Sequence, residues 1–142
     1  GLGNKFLSHI REVDAIIHMI RCFDSEDIQN VNPNVNPVRD LEIIETEMKL
    51  ADLESIQKRL DKKNKKKSNE IEINILNAAL DCINNDQDIN TLYKKFSKKE
   101  IQQIGLLSTK PKLYICNVDE KNILEGNKYT KQFIMRYGEK IP

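Results

Sequence analysis

Two short apolar runs, "DAIIHMIRCF" (Asp14 to Phe23) and "LYIC" at the head of "LYICNVDE" (Leu113 to Glu120), bracket a long stretch of helical pattern. Both runs are rich in β-branched and aromatic residues and read as buried strands of a parallel sheet. A parallel pair needs a crossover of a dozen residues or somewhat more, yet about 80 residues intervene here, so an insertion rides on the crossover. With another helix expected at Lys128–Tyr137, the order is strand, long helical excursion, strand, helix. That order predicts an α/β core with parallel strands, in a chain mostly helical by residue count.

The excursion has its own punctuation. "DSEDIQNVNPNVNPVRD" is polar, carries Pro33 and Pro37, and reads as an irregular connection. Asn36-Pro37 then starts a helix, since Asn caps well and Pro suits the first helical position. Ile43, Thr46, Leu50, Leu53, Gln57 and Leu60 step by three and four, the spacing of an a/d seam. Leu41, Ile44 and Met48 form a second stripe at its base. Running to about Lys62, this helix would be ~39 Å long at ~1.5 Å per residue. "KKNKKKSN" breaks it, and Ile73, Leu76, Leu80 and Ile83 mark a second helix. Two seams joined by a short polar link predict an antiparallel helical hairpin. "INTLYKKF" and "SKKEIQQIGLL" read as shorter helical pieces, the latter with a Ser97–Glu100 capping box. At the start, Leu2, Phe6, Leu7 and Ile10 fall at helical spacing; at the end, "GEKIP" reads as the entry to another strand.

The chain has 142 residues, 39% hydrophobic and 32% charged, so one domain with a modest core is expected. A net charge of +1 names no partner. Cys22, Cys82 and Cys116 are scattered within apolar runs with no CxxC pair, which reads as small reduced core residues and a cytoplasmic setting. No apolar run approaches ~18 residues and no secretory leader pattern is visible, so no membrane span is expected. The chain opens on Gly1 rather than Met, which reads as a removed leader or a slice of a longer protein.

Few residue groups carry chemistry. Lys62, Lys63, Lys65, Lys66 and Lys67 put five cations at the hairpin tip, suited either to nucleic-acid phosphates or to a solvated loop. No aromatic interleaves them, so binding there would be blind to sequence. His9 and His18 lack metal-ligand spacing and read as one exposed and one packed histidine. None of the cysteines has a nucleophile's histidine partner. Neither GxxxxGK[ST] nor GxGxxG occurs, and Gly1, Gly3, Gly105, Gly126 and Gly138 are too scattered for a phosphate cradle. That leaves Asn117, Val118, Asp119 and Glu120, a polar end to an apolar strand. Ligands in open α/β sheets bind beyond the carboxyl ends of strands, although Asn and Asp also favour plain turns.

Three blocks then resemble one family in order. "GLGNKFLSHIREVDAIIHMIRCF", "NPVRDLEIIETEMKLADLESIQKRL" and "LSTKPKLYICNVDE" together look like the Obg-like ATPases of YchF type, within the P-loop GTPases. The first block is similar to the segment after switch II, the second to the start of a coiled-coil insertion, and the third to the base-specificity motif. The family carries NxxE where ordinary GTPases carry NKxD, and Asn117–Glu120 fits NxxE. Guanine offers two adjacent donors, N1–H and the 2-amino group, which suit a bidentate carboxylate. Adenine offers the 6-amino donor beside a bare N1 acceptor, so that fork is lost. Lengthening the carboxylate arm by one methylene and replacing Lys with Val removes the guanine clamp.

The resemblance implies a partial Ras-like P-loop core in residues 1–30 and 108–142, interrupted by a coiled-coil hairpin in residues 31–107. It implies ATP as ligand, with GTP also accepted, and assigns Asn117 and Glu120 to the base and Val118 to one wall of the pocket. It implies Mg²⁺ in the family, whose ligands, with the phosphate loop and the DxxG of switch II, would lie before Gly1. It also implies ribosome association, to which Lys62, Lys63, Lys65, Lys66 and Lys67 would contribute. No hydrolytic residue is assigned in this chain. A reading of a different class is a non-enzymatic helical hairpin that binds RNA or a protein through its lysine-rich tip.

Overall fold

A computed structural model describes residues 3–24, 34–63 and 69–138. The chain forms two compact units, one from residues 1–14 and 45–111, the other from residues 15–44 and 112–142. The elements in order are α1 (Asn4–Glu12), β1 (Ile16–Arg21), α2 (Pro37–Lys63), α3 (Glu70–Asn84), a 3-10 segment (Ile89–Lys94), α4 (Lys98–Ile104), β2 (Lys112–Asn117), a short 3-10 turn (Glu120–Asn122) and α5 (Lys128–Tyr137). Asn64 to Ser68, with Lys65, Lys66 and Lys67, lies outside the described residues, as do Leu2, most of the connection after Asp24 and the "EKIP" end.

The first unit is helical. α2 begins in the second unit, where Asn36 starts it as the sequence predicts, its Oδ1 accepting from Arg39 N–H at 3.0 Å. α2 and α3 run antiparallel, fastened by Lys49 to Asp86 at 2.9 Å near one end and by Arg59 to Glu72 at 2.8 Å near the other. Arg59 also donates to the Ile104 carbonyl at 2.8 Å. Ile56 of α2 joins Ile75, Leu76, Ala79 and Cys82 of α3 with Leu92, Ile101, Ile104 and Leu106 in one core. "INTLYKKF" forms the tighter 3-10 helix, capped by Asp88, whose side chain accepts from Asn90 N–H. The Ser97–Glu100 capping box forms as expected, and Gly105 ends α4 in the left-handed conformation at φ 70° that a side chain would strain.

The seam of α2 is not the one its apolar spacing predicts. Ile43 and Leu50 are exposed, while the buried line is Leu41, Met48, Asp52 and Ile56. The second stripe, begun by Leu41 and Met48, continues upward through a carboxylate. Asp52 is fully buried and accepts from the backbone N–H groups of Leu107 and Ser108 at 2.8 Å each. A polar group buried in this way needs partners, and the turn after α4 supplies two donors left over by its own backbone. Arg11 Nη2 meets the Ala51 carbonyl at 3.5 Å, and Lys110 Nζ donates to the carbonyls of Arg11 and Val13 at 3.2 and 2.7 Å. These contacts hold the end of α1 to α2 and to the turn after α4.

The second unit holds the strands. β1 and β2 pair in parallel, with Ile16 opposite Lys112 and Arg21 opposite Asn117. One face carries His18, Ile20, Tyr114 and Cys116 and is covered by Leu41 of α2 and by Phe133 and Tyr137 of α5. Tyr114, Phe133 and Tyr137 form an aromatic cluster with centroids 5.0–6.2 Å apart. The expectation of fully buried strands fails on the other face: Ile17 is 64% exposed, Met19 68%, Leu113 47% and Ile115 40%. Parallel strands keep their apolar residues on both faces because such sheets are normally covered twice, and here one cover is among the described residues.

Candidate functional site

Just past the paired carboxyl ends of β1 and β2, Cys22 N–H donates to the Asn117 carbonyl at 2.8 Å. This is where a parallel sheet presents ligand-binding residues. From β1 come Cys22, Phe23 and Asp24, and from β2 come Asn117, Val118, Asp119 and Glu120. Asn117 is the last residue of the strand, Val118 packs on the aromatic core, and Glu120 opens the 3-10 turn.

The two adjacent carboxylates behave differently. Asp119 closes the turn: its Oδ1 accepts from Asn122 Nδ2, and its carbonyl accepts from Asn122 N–H at 3.0 Å. The Glu120 carboxylate and the Asn117 amide are exposed and have no side-chain partner among the described residues. The site therefore presents the Asn117 amide and the Glu120 carboxylate, three residues apart and without side-chain partners, beside the Asp119 carboxylate, one oxygen of which is tied to Asn122. The sequence does not separate Asp119 from Glu120 by chemistry; the Asp119–Asn122 clasp does.

Asn127 is the residue that sequence reasoning missed. It caps α5, with Oδ1 accepting from Tyr129 and Thr130 N–H at 2.9 and 3.1 Å. Its Nδ2 donates to the Cys22 carbonyl at 2.6 Å. Since Cys22 N–H holds the Asn117 carbonyl, a continuous path of hydrogen bonds runs from the start of α5 to the end of β2. Tyr129 reinforces it by donating to Asp24 at 2.7 Å. Gly126 must be glycine, since φ is +69° and a Cβ would lie 2.5 Å from Thr130 Oγ1. The available signal was the Gly126-Asn127 pair followed by Thr130, a capping pattern.

The titratable groups nearby are structural. Burial, then the adjoining Cys116 thiol, pushes the Cys22 thiol up to about 12. A thiol so shielded is not a nucleophile. His18 is packed as expected, stacked on Tyr114 with centroids 5.4 Å apart, and its Nε2 has no partner among the described residues. Burial first, then the charge of Lys112, lowers its pKa. His9 is exposed. Among the described residues no group of three His, Cys, Asp or Glu could hold a metal, and no helix is long and apolar enough to cross a membrane.

No family model matches the chain. Individual relatives do. The ribosome-binding ATPase YchF of Bacillus subtilis is 37% identical over 131 residues, covering 88% of this chain and 36% of that protein. The chain belongs to the YchF/Obg-like ATPase family. Obg-like ATPase 1 of Saccharomyces cerevisiae is another such relative, 35% identical over 154 residues, covering 96% of this chain and 39% of its own. The structure of the Schizosaccharomyces pombe YchF GTPase superposes with a TM-score of 0.77 at 34% identity, covering 98% of this chain and 40% of that one. The chain thus spans about two-fifths of the length of the YchF relatives it matches. Its small parallel sheet and dominant helices are those of a P-loop NTPase relative.

Proposed function

We propose that this chain supplies the base-reading end and the helical insertion of a YchF-type ATPase that binds ATP and also admits GTP. The observation that carries the reading is the pair of Asn117 and Glu120, exposed and without side-chain partners at the carboxyl end of parallel strands, while Asp119 is engaged by Asn122. Asn117 would meet the base edge with its amide, Glu120 would accept from the 6-amino group of adenine, and Val118 would line the pocket. Residues 1–30 and 108–142 would belong to the nucleotide domain and 31–107 to a coiled-coil insertion. The exposed face of Ile17, Met19, Leu113 and Ile115 is the surface that the rest of a nucleotide domain would cover. When bound, the triphosphate and Mg²⁺ supply the phosphoryl-transfer chemistry, in which proteins act by positioning and charge stabilisation. The residues assigned here serve the base alone, and none is proposed as a phosphate or metal ligand.

Because relatives are named ribosome-binding ATPases, a ribosome-associated, cytoplasmic role is part of the proposal, with Lys62, Lys63, Lys65, Lys66 and Lys67 as candidate contacts. The test is amide chemical-shift mapping of the chain with ATP and with GTP. Saturable shifts at residues 117–120, larger with ATP and abolished by Glu120→Ala, are expected. Shifts that ignore these residues would sink the base site. They would leave the second reading, a non-enzymatic hairpin that binds RNA or protein, favoured by the independent core of α2 and α3.

A further inference from the structure

The hydrogen bonds around Asn117 and Glu120 close on themselves. Cys22 N–H holds the Asn117 carbonyl at 2.8 Å, and Asn127 Nδ2 holds the Cys22 carbonyl at 2.6 Å. Asn127 follows Gly126, whose N–H donates to the Asn122 carbonyl at 2.9 Å. Asn122 reaches back to Asp119 twice, from its N–H to the carbonyl at 3.0 Å and from Nδ2 to Oδ1. The chain itself, through Val118, completes the ring back to Asn117.

Within this ring Glu120 has no anchor of its own. Its carboxylate is exposed and has no side-chain partner among the described residues, whereas Val118 packs on the aromatic core. Glu120 and Lys121 are the central residues of the turn that Asp119 and Asn122 close. The place of Glu120 relative to Asn117 is therefore set by backbone, and the backbone is set by that turn. One of the bonds closing it joins main-chain groups in a short 3-10 turn, whose hydrogen-bond geometry is poorer than that of an α-helix. The other depends on the Asn122 side chain. It runs from an amide to a carboxylate that keeps its charge, and charge-assisted bonds are the stronger kind.

We propose that Asn122 is a positioning residue for base recognition: by holding Asp119 it fixes the turn from which Glu120 meets the 6-amino group of the purine, and so sets how strongly that group is selected. The proposal rests on the reading of Asn117 and Glu120 as the base site. Asn122 itself does not touch the base. A group held in its bound position before the ligand arrives spares the cost of ordering it on binding. Without the clasp, the Glu120 hydrogen bond forms only after the turn is ordered, and the gain from the 6-amino group shrinks. Contacts to the rest of the nucleotide do not depend on Asn122.

The test titrates the full chain with ATP and with purine riboside 5′-triphosphate, which lacks the 6-amino group, following the amides of residues 117–127. A hydrogen bond to a charged group is worth roughly tenfold or more in affinity, so the parent should prefer ATP by about that factor. Asn122→Ala should cut the preference to about threefold or less while leaving affinity for the analogue nearly unchanged. Asp119→Asn combined with Asn122→Asp exchanges donor and acceptor in the same bond and should restore the preference. A parent that does not prefer ATP would overturn the Glu120 reading and the proposal with it. A parent that does, with the preference unchanged in Asn122→Ala, would overturn the positioning role and leave the base reading standing. Equal weakening of both ligands in Asn122→Ala, the mark of a purely structural role, would overturn the positioning role as well. So would an exchanged pair that keeps the parent's amide spectrum and fails to recover the preference.

Discussion

Asp52 offers the sharpest test of how the helical unit is held. It is fully buried and gives both carboxylate oxygens to backbone N–H groups, Leu107 and Ser108, at 2.8 Å each. Asp52→Ala strands two buried donors at about 1–3 kcal/mol each, so a loss of ~2–6 kcal/mol is expected. That is a large share of the ~5–15 kcal/mol that holds a domain folded. Asp52→Asn keeps the volume and one acceptor but turns an amino group toward the other N–H, for about 1–3 kcal/mol. Urea unfolding followed by circular dichroism should place the Asn midpoint roughly 1 M lower, given a slope of about 1–3 kcal/mol per M. Amide exchange should accelerate first at Leu107 and Ser108.

The pH dependence has a definite sign. Burial, opposed by the Ser108 and Leu107 hydrogen bonds and by Arg11, raises the Asp52 pKa. The native state then holds the proton more tightly than the unfolded chain. The contribution of this group is complete below the ordinary aspartate value of ~3.9 and is lost as pH rises through the raised native value. The gap between parent and Asn variant should narrow across that window. An Asp52→Ala midpoint equal to the parent's, with Leu107 and Ser108 still protected, would refute the reasoning.

In native-state hydrogen exchange, Leu50–Leu60 of α2 should outlast Leu113–Cys116 of β2, because the described sheet has two strands and one cover; the reverse order would mean that the strand pair is the stable element. Asn127→Ala should cost about 1–2 kcal/mol through the lost cap and shift the Cys22 and Asn117 amides, whereas Asn127→Asp keeps the cap and loses the donor to Cys22. Unmoved strand-end amides in both variants would show that the path from α5 to β2 carries nothing. His18 has a lowered native pKa, so the unfolded chain binds its proton more readily and stability is lost as pH falls through about 6.5. His18→Phe should flatten that slope, and a parent midpoint constant from neutral to mildly acidic pH would count against it.

The sequence carried the element order well, because β-branched runs, Asn36-Pro37 and the Ser97–Glu100 box are local signals that the structure honours. The α2 seam was misread because periodicity counts apolar residues, and the position that completes the buried line is a carboxylate partnered more than fifty residues away. The strands were expected to be buried on both sides, since Ile17, Met19, Leu113 and Ile115 have the composition of covered positions. At the candidate site, Asn117 and Glu120 were legible as a motif. Asn127 was not, because its significance lies in a bond to Cys22, which no spacing along the chain reveals.

The Lys110 clasp bears on the order of folding. Pairing β1 with β2 from an open chain closes a loop of roughly 90 residues, an entropic cost of about 4 kcal/mol beyond the fixed part. Lys110 holds the carbonyls of Arg11 and Val13, so the residues leading into the two strands are already joined once the helical unit has formed. The remaining closure then involves only a few residues on each side, and the parallel register is decided at its first pair, Ile16 with Lys112. A slow, long-range strand pairing thereby becomes a local event that waits on the helices, and weakening the clasp should slow strand formation more than it lowers final stability.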